Sequence, residues 1–126
     1  TPATIRKVID EHNPIQVWGT GEDIRDVIYV DDFVDGLINV MQKCTDKHEV
    51  VNIGSNTSYS VNEILDICME VDNYDASIEY ISGKPSMIPI RKISSEKMKD
   101  KYGWEAKTSL SKGIEKTIKW YKEYYK

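Results

Sequence analysis

Histidine, cysteine and phenylalanine are scarce in this 126-residue chain, which has two His, two Cys and one Phe. His12 and His48 stand alone, and Cys44 and Cys68 are far apart, so no zinc-ligand spacing arises. Both thiols fall within apolar helical patterns and read as reduced core or boundary residues. Long hydrophobic runs are missing too: no stretch approaches the roughly 20 residues that a membrane-spanning helix requires. Asp10, Glu11, Glu22 and Asp23 interrupt residues 1–30, which leaves no signal-peptide core there. These absences predict a soluble, cytoplasmic protein with no membrane partner. Excess positive charge is also lacking. Seventeen Lys and Arg stand against 21 Asp and Glu, a net charge of -4, which argues against nucleic acid as the main partner. Repeats, low-complexity tracts and long linkers are absent as well. What remains is 40% hydrophobic, enough to build the core of one domain or of a piece of a larger one. The chain opens on Thr1-Pro2 with its hydrophobic patterning already under way, and we expect a fragment.

The patterning is mixed α/β. Ile5, Val8 and Ile9 form a helical stripe behind Thr1 and Pro2 that Asn13-Pro14 must end, predicting a helix over 2–12. Ile15, Val17 and Trp18 read as a strand, residues 19–23 as a turn and residues 27–30 as a second extended piece. From Asp32 to about Lys43, Val34, Leu37, Ile38 and Met41 share one helical face. Residues 50–53 read as a compact strand stopped by Gly54, and Ser60 with Glu63 forms a capping box for the next helix. Residues 77–81 alternate as a half-buried strand, and 90–93 form a short extended piece after a loop holding two prolines. Ser94 or Ser95 can cap a helix closed by Gly103. Ser109 can cap a last helix with the stripe Leu110, Ile114, Ile118, Tyr121 and Tyr125.

The stretch QVWGTGEDIRDVIYVDD, residues 16–32, gathers the candidate chemistry. Gly19-Thr20-Gly21 fails as a dinucleotide fingerprint, because position 24 is Ile and the segment after it is extended rather than helical. Gly54 reads as a turn glycine. Asp31, Asp32 and Asp35 offer oxygen ligands that would suit magnesium, but carboxylates at a helix start more simply cap its free N–H groups. Arg25, flanked by Ile24, Val27 and Ile28, needs either a carboxylate such as Asp26 or a bound anion. Trp18 can pack in the core or present a flat face to a nucleobase or sugar. The loop GKPSMIPIRK, residues 83–92, concentrates Lys84, Arg91 and Lys92 around stiffening prolines, either to meet a phosphate or as an exposed connector. Tyr80 and Lys84 match Tyr-x-x-x-Lys by spacing alone, since Gly83 and Pro85 would break the helix that pair needs.

Taken in order, VWGTGEDIRDVIYVDD, VVNIGS, SVNEI, GKPSMIPIRK and KYGWEAKTSLSKGIEKTIKWY resemble the C-terminal part of the extended short-chain dehydrogenase/reductases. These are NAD(P)-dependent nucleotide-sugar epimerases, dehydratases and reductases, and the resemblance covers nearly the whole chain. Trp18 together with the 83–92 loop looks most like the GDP-L-fucose synthase branch. The resemblance implies an α/β fold over residues 1–126: a small mixed substrate-binding domain plus a strand and helix severed from a Rossmann-type nucleotide-binding domain. It implies that Arg25 contacts the diphosphate of a nucleotide sugar, that Trp18 and Val17 border the nucleoside, and that Lys84 and Arg91 belong to the loop over the phosphates. NAD or NADP would be bound mainly by an N-terminal domain outside this chain, which would also carry the catalytic Tyr-x-x-x-Lys; no catalytic residue is assigned here, and the fragment alone is expected to be inactive. The full-length protein is expected to be a homodimer. The isolated fragment is expected to self-associate, because helix 32–43 and strand 50–53 lose the sheet they would pack on. The run Ile93-Ser94-Ser95-Glu96-Lys97 departs from the family's Asp-x-Ser-Lys/Arg, so capping there is expected to differ. The rival expectation is a ligand-free protein-interaction domain that docks through Trp120, Tyr121, Tyr124 and Tyr125.

Overall fold

The structure is a computed structural model that describes residues 1–83 and 88–125. Helix α1 spans Pro2–Ile9 and strand β1 Ile15–Trp18. Strand β2 covers Ile24–Asp26, and helix α2 runs over Val30–Lys43. Strand β3, Ser58–Ser60, leads directly into helix α3, Val61–Asp72. Strands β4, Ile78–Ile81, and β5, Ile90–Arg91, precede helices α4, Glu96–Tyr102, and α5, Leu110–Tyr125.

Two small sheets result. β1 pairs in parallel with β4, Val17 opposite Tyr80 and Trp18 opposite Ile81. β2 lies at the centre of the other sheet, antiparallel to β3 and parallel to β5, with Arg25 opposite both Tyr59 and Arg91. The main core joins one face of β1 to three helices. Ile5, Val8 and Ile9 of α1, Ile15 and Val17 of β1, Ile64, Leu65 and Cys68 of α3, and Ile114 and Ile118 of α5 are all buried together. Their spacings are the period of 3.6 in the helices and of two in the strand, so each element turns one apolar face inward.

A second cluster holds Met98, Tyr102 and Trp104 against Ile28, Val40, Val51 and Ile53. It anchors α2 by one narrow side. Gly36 makes the approach possible: a Cβ there would come within 2.9 Å of Ile53 and 3.0 Å of Trp104. The remaining apolar side of α2 stays exposed, Met41 at 81% and Val34, Leu37 and Ile38 each near half.

Several boundaries differ from expectation. α1 ends at Ile9 rather than 12, and a turn with left-handed Glu11 carries the chain to Pro14. The second extended segment is Ile24–Asp26, earlier than 27–30, because backbone pairing with β3 and β5 is available only there. Residues 50–53 form no strand: Val51 and Ile53 pack as side chains, but no neighbouring backbone within the described residues pairs with them. The capping box is present, with Glu63 N–H donating to Ser60 Oγ at 3.1 Å and Ser60 N–H donating to Glu63 Oε2 at 2.6 Å. Gly103, at φ +65°, closes α4, and Ser109 Oγ accepts from Lys112 N at the start of α5. Ser95 precedes α4 without a side-chain cap, its hydroxyl tied instead to Gly54.

Candidate nucleotide-binding site

The candidate site is built on the β1–turn–β2 segment. β1 needs Ile15 and Val17 in the core, which by alternation sends Gln16 and Trp18 outward. Trp18 is accordingly 65% exposed at the strand end, and the core alternative for it is excluded. Val17, expected beside the nucleoside, turns its side chain into the core and can offer a ligand only its backbone.

The turn that follows uses two left-handed glycines, Gly19 at φ +74° and Gly21 at φ +77°. Gly21 has a second requirement, since a Cβ there would overlap the Asn62 amide. Asn62 fixes the turn: its Nδ2 donates to Thr20 O at 3.1 Å and to Glu22 Oε1 at 2.9 Å, its backbone N–H donates to Gly21 O, and its Oδ1 accepts from Tyr80 Oη. Asn62 lies within the run SVNEI, but its hold on the turn is disclosed only by the three-dimensional packing of α3 against that turn.

Arg25 is partly buried, and the carboxylate it pairs with is Asp23, two residues before it. Its Nη2 donates to Asp23 Oδ2 at 2.8 Å, not to Asp26. Nη1 donates to the carbonyls of Ile24 at 2.8 Å and Ile88 at 2.9 Å, with a longer contact to Pro89 O. Asp26 faces the other side of its strand, where Oδ1 accepts from Ser55 N and Oγ, both at 3.2 Å. Its second oxygen is buried with no hydrogen-bond partner among the described residues. Parallel pairing sets exposed Arg91 beside Arg25 on β5. Two guanidinium-bearing residues thus sit on neighbouring strands, a concentration of positive charge suited to an oxyanion. Lys84 lies outside the described residues.

Next to this sheet a cavity of about 270 Å³ opens between β2, β3 and the start of α5, lined in part by Ser55, Thr57, Tyr59, Lys107 and Thr108. Nothing in the sequence points to it, because its walls come from three separated segments.

None of the three aspartates of α2 occupies its N-cap position. Tyr29 precedes the helix without a side-chain cap. Asp32 instead accepts from Lys107 N, Thr108 N and Thr108 Oγ1, and Asp35 from Trp104 Nε1 at 2.9 Å, so both staple α2 to the segment before α5. Among the described residues one other group gathers possible metal ligands, Cys44, Asp46 and Glu49. Lys101 pairs with both carboxylates and Lys97 with Glu49, which already supplies the positive charge a cation would bring.

Residues 1–54 match the sequence model of the NAD dependent epimerase/dehydratase family. A probable GDP-L-fucose synthase 1 of Oryza sativa is 33% identical over 109 residues, 86% of this chain and 33% of its own length. A GDP-L-fucose synthase of Sinorhizobium fredii is 32% identical over 120 residues, 92% of this chain and 38% of its own length. Among solved structures, UDP-glucose 4-epimerase of Thermotoga maritima with UDP-glucose superimposes with a TM-score of 0.87 at 27% identity, over 98% of this chain and 39% of that one. The dTDP-glucose 4,6-dehydratase of Bacillus anthracis in complex with NAD gives 0.84 at 25% identity, again over 98% and 39%. The chain thus spans between 33% and 38% of the length of these curated relatives. With the motifs in the family's order and the fold shared from end to end, the chain belongs to the NAD-dependent epimerase/dehydratase family of extended short-chain dehydrogenase/reductases.

Proposed function

We propose that these 126 residues form the nucleoside-diphosphate-binding part of a nucleotide-sugar epimerase, dehydratase or reductase. The observation that carries this reading is Arg25, a partly buried guanidinium with Arg91 on the adjoining strand and exposed Trp18 at the end of the strand before the turn. Charge-assisted, bidentate contact suits Arg for a diphosphate, and an indole face suits a base. In this reading Arg25 and Arg91 meet the phosphates and Trp18 stacks on the nucleoside.

NAD or NADP is the cofactor expected of the whole enzyme, but the residues present do not fit it. Gly21 abuts Asn62 where a pyrophosphate would need open backbone, and the turn leads into strand β2 instead of a helix N-terminus. No step of the reaction is therefore assigned to this chain, whose part is to bind and orient. Relatives that carry GDP-L-fucose synthase names favour a GDP-linked 4-keto-6-deoxy sugar as substrate.

Calorimetry with GDP, UDP and dTDP tests the reading. Binding of at least one, weakened in Arg25→Ala and in Trp18→Ala, is the expected result. A second reading, a protein-interaction module, draws on the exposed Trp120, Tyr124 and Tyr125 of α5. It would be favoured by loss of a protein partner in Trp120→Ala with no nucleotide bound by the parent.

A further inference from the structure

Asp23 has no role assigned from the sequence, yet among the described residues it is the carboxylate paired with the guanidinium that the proposed function rests on. The Asp23–Arg25 pair is short, 2.8 Å, and both side chains are about two-thirds to three-quarters buried, 33% and 27% exposed. A guanidinium has five N–H donors. Among the described residues, the hydrogen bonds of Arg25 engage Nη1 with the carbonyls of Ile24, Ile88 and Pro89, and Nη2 with Asp23. This leaves Nε–H and the second hydrogen of Nη2. Nε and Nη2 together make one edge of the planar group, and the Nε–H on that edge has no hydrogen-bond acceptor among the described residues.

We propose that Asp23 is a positioning residue, which turns the Arg25 guanidinium so that its Nε–H is presented to a phosphate oxygen. Three features support it. The carbonyls of Ile24, Ile88 and Pro89 converge on one end of the group only, so Nη1 alone would leave rotation about the C–N axis to be resisted by a single nitrogen. Asp23 engages the other nitrogen and removes that freedom. The residue is itself fixed by backbone: Asp23 O accepts from Val61 N at 3.1 Å, which ties the turn to the start of α3 beside Asn62. Finally, an arginine that is orientated before the ligand arrives loses less side-chain entropy on binding it. The inference rests on the proposed function for the identity of the ligand, but the orientation of Arg25 by Asp23 does not.

The experiment therefore has a ligand-free arm and a ligand arm on the same 126-residue chain. In the first, the ¹⁵Nε–¹Hε resonance of Arg25 is followed by NMR in the parent, Asp23→Ala and Asp23→Asn. A dispersed signal with a high order parameter in the parent, which loses both dispersion and order in Asp23→Ala and keeps them in Asp23→Asn, is expected. In the second, calorimetry with GDP and UDP should show affinity falling about tenfold in Asp23→Ala, the scale of one misplaced binding group, with Asp23→Asn recovering most of it. Asp23→Ala should have no further effect in an Arg25→Ala background. An unchanged Nε signal in Asp23→Ala overturns the positioning role. Tighter nucleotide binding in Asp23→Ala also overturns it, since Asp23 would then compete with the ligand. A parent that binds no nucleotide while its Nε signal still depends on Asp23 would refute the proposed function and leave the positioning intact.

Discussion

Arg25 is the residue on which sequence and structure meet. Its type and its place after a glycine turn were legible, as was the need for a partner. Which carboxylate answers was not, because Asp26 is next in sequence while the alternation of a strand sends it to the opposite face. Arg25→Ala should weaken nucleoside-diphosphate binding by about 1.5–3 kcal/mol, the scale of a charge-assisted hydrogen bond. It should also lower stability, because Asp23 and two to three carbonyls lose their donor. Calorimetry and urea unfolding on the same variant separate the two effects, and an unchanged affinity would make Arg25 purely structural. Glu49 gives a pH prediction at the same scale. Hydrogen bonds from Lys101 first and Lys97 next draw its carboxyl down to about 2 from the usual carboxylate range. A depressed folded-state pKa stabilises above the unfolded value, near 4.3, and that contribution disappears as pH falls from there toward 2. Glu63 shifts in the same direction through the Ser60 N–H. Glu49→Gln should therefore show a shallower fall of thermal midpoint with acid than the parent, and parallel curves for the two would refute the assignment. Cys68 and Cys44 should separate under a thiol reagent. Burial pushes Cys68 up to about 12, so native protein should react rapidly at Cys44 alone, with Cys68 labelled only after unfolding.

The elements were legible in proportion to how local their signals are. α3 announces itself through Ser60 and Glu63, and Ser60→Ala should cost about 1 kcal/mol in urea unfolding, the usual worth of an N-cap hydroxyl. β1, β4, α4 and α5 follow from alternation, helical period and a left-handed glycine. What failed was whatever another part of the chain decides. β2 begins earlier than apolar content suggests because β3 and β5 pair with 24–26, and no propensity encodes those partners. Residues 50–53 look like a strand and hold apolar side chains in the second cluster, but a strand exists only with a backbone neighbour. The aspartates of α2 look like caps, yet two of them are hydrogen-bonded more than sixty residues downstream. Gly36 shows the same dependence on packing. Ala would be the better helix former there, by about 1 kcal/mol in an exposed position, but its Cβ would press on Ile53 and Trp104 at 2.9 and 3.0 Å. Gly36→Ala should therefore destabilise rather than stabilise, and a higher unfolding midpoint would show that α2 can shift away from the second cluster without cost.

At the scale of the whole molecule, two clusters share one surface problem. The main core is enclosed by α1, α3, α5 and β1, whereas α2 meets the protein along only its Gly36–Val40 side. Val34, Leu37, Ile38 and Met41 are exposed, and so is Val50, at 68%, in a segment that has no strand partner among the described residues. Contiguous apolar surface and open backbone are the two features that drive association of otherwise soluble proteins. The face belongs to a layered α/β architecture, in which a helix of this kind is normally covered on the side that α2 leaves bare. For this chain by itself the available cover is a second copy. Sedimentation of the 126-residue protein should show concentration-dependent dimers or larger species. Leu37→Glu and Met41→Lys, each at an exposed position of α2, should shift it toward monomer without lowering the unfolding midpoint, because neither side chain belongs to the two clusters. A clean monomer at high concentration would mean that the α2 face is tolerated bare. A dimer untouched by both charges would move the interface elsewhere, with the exposed aromatic end of α5, Trp120 and Tyr124, the next surface to test by substitution.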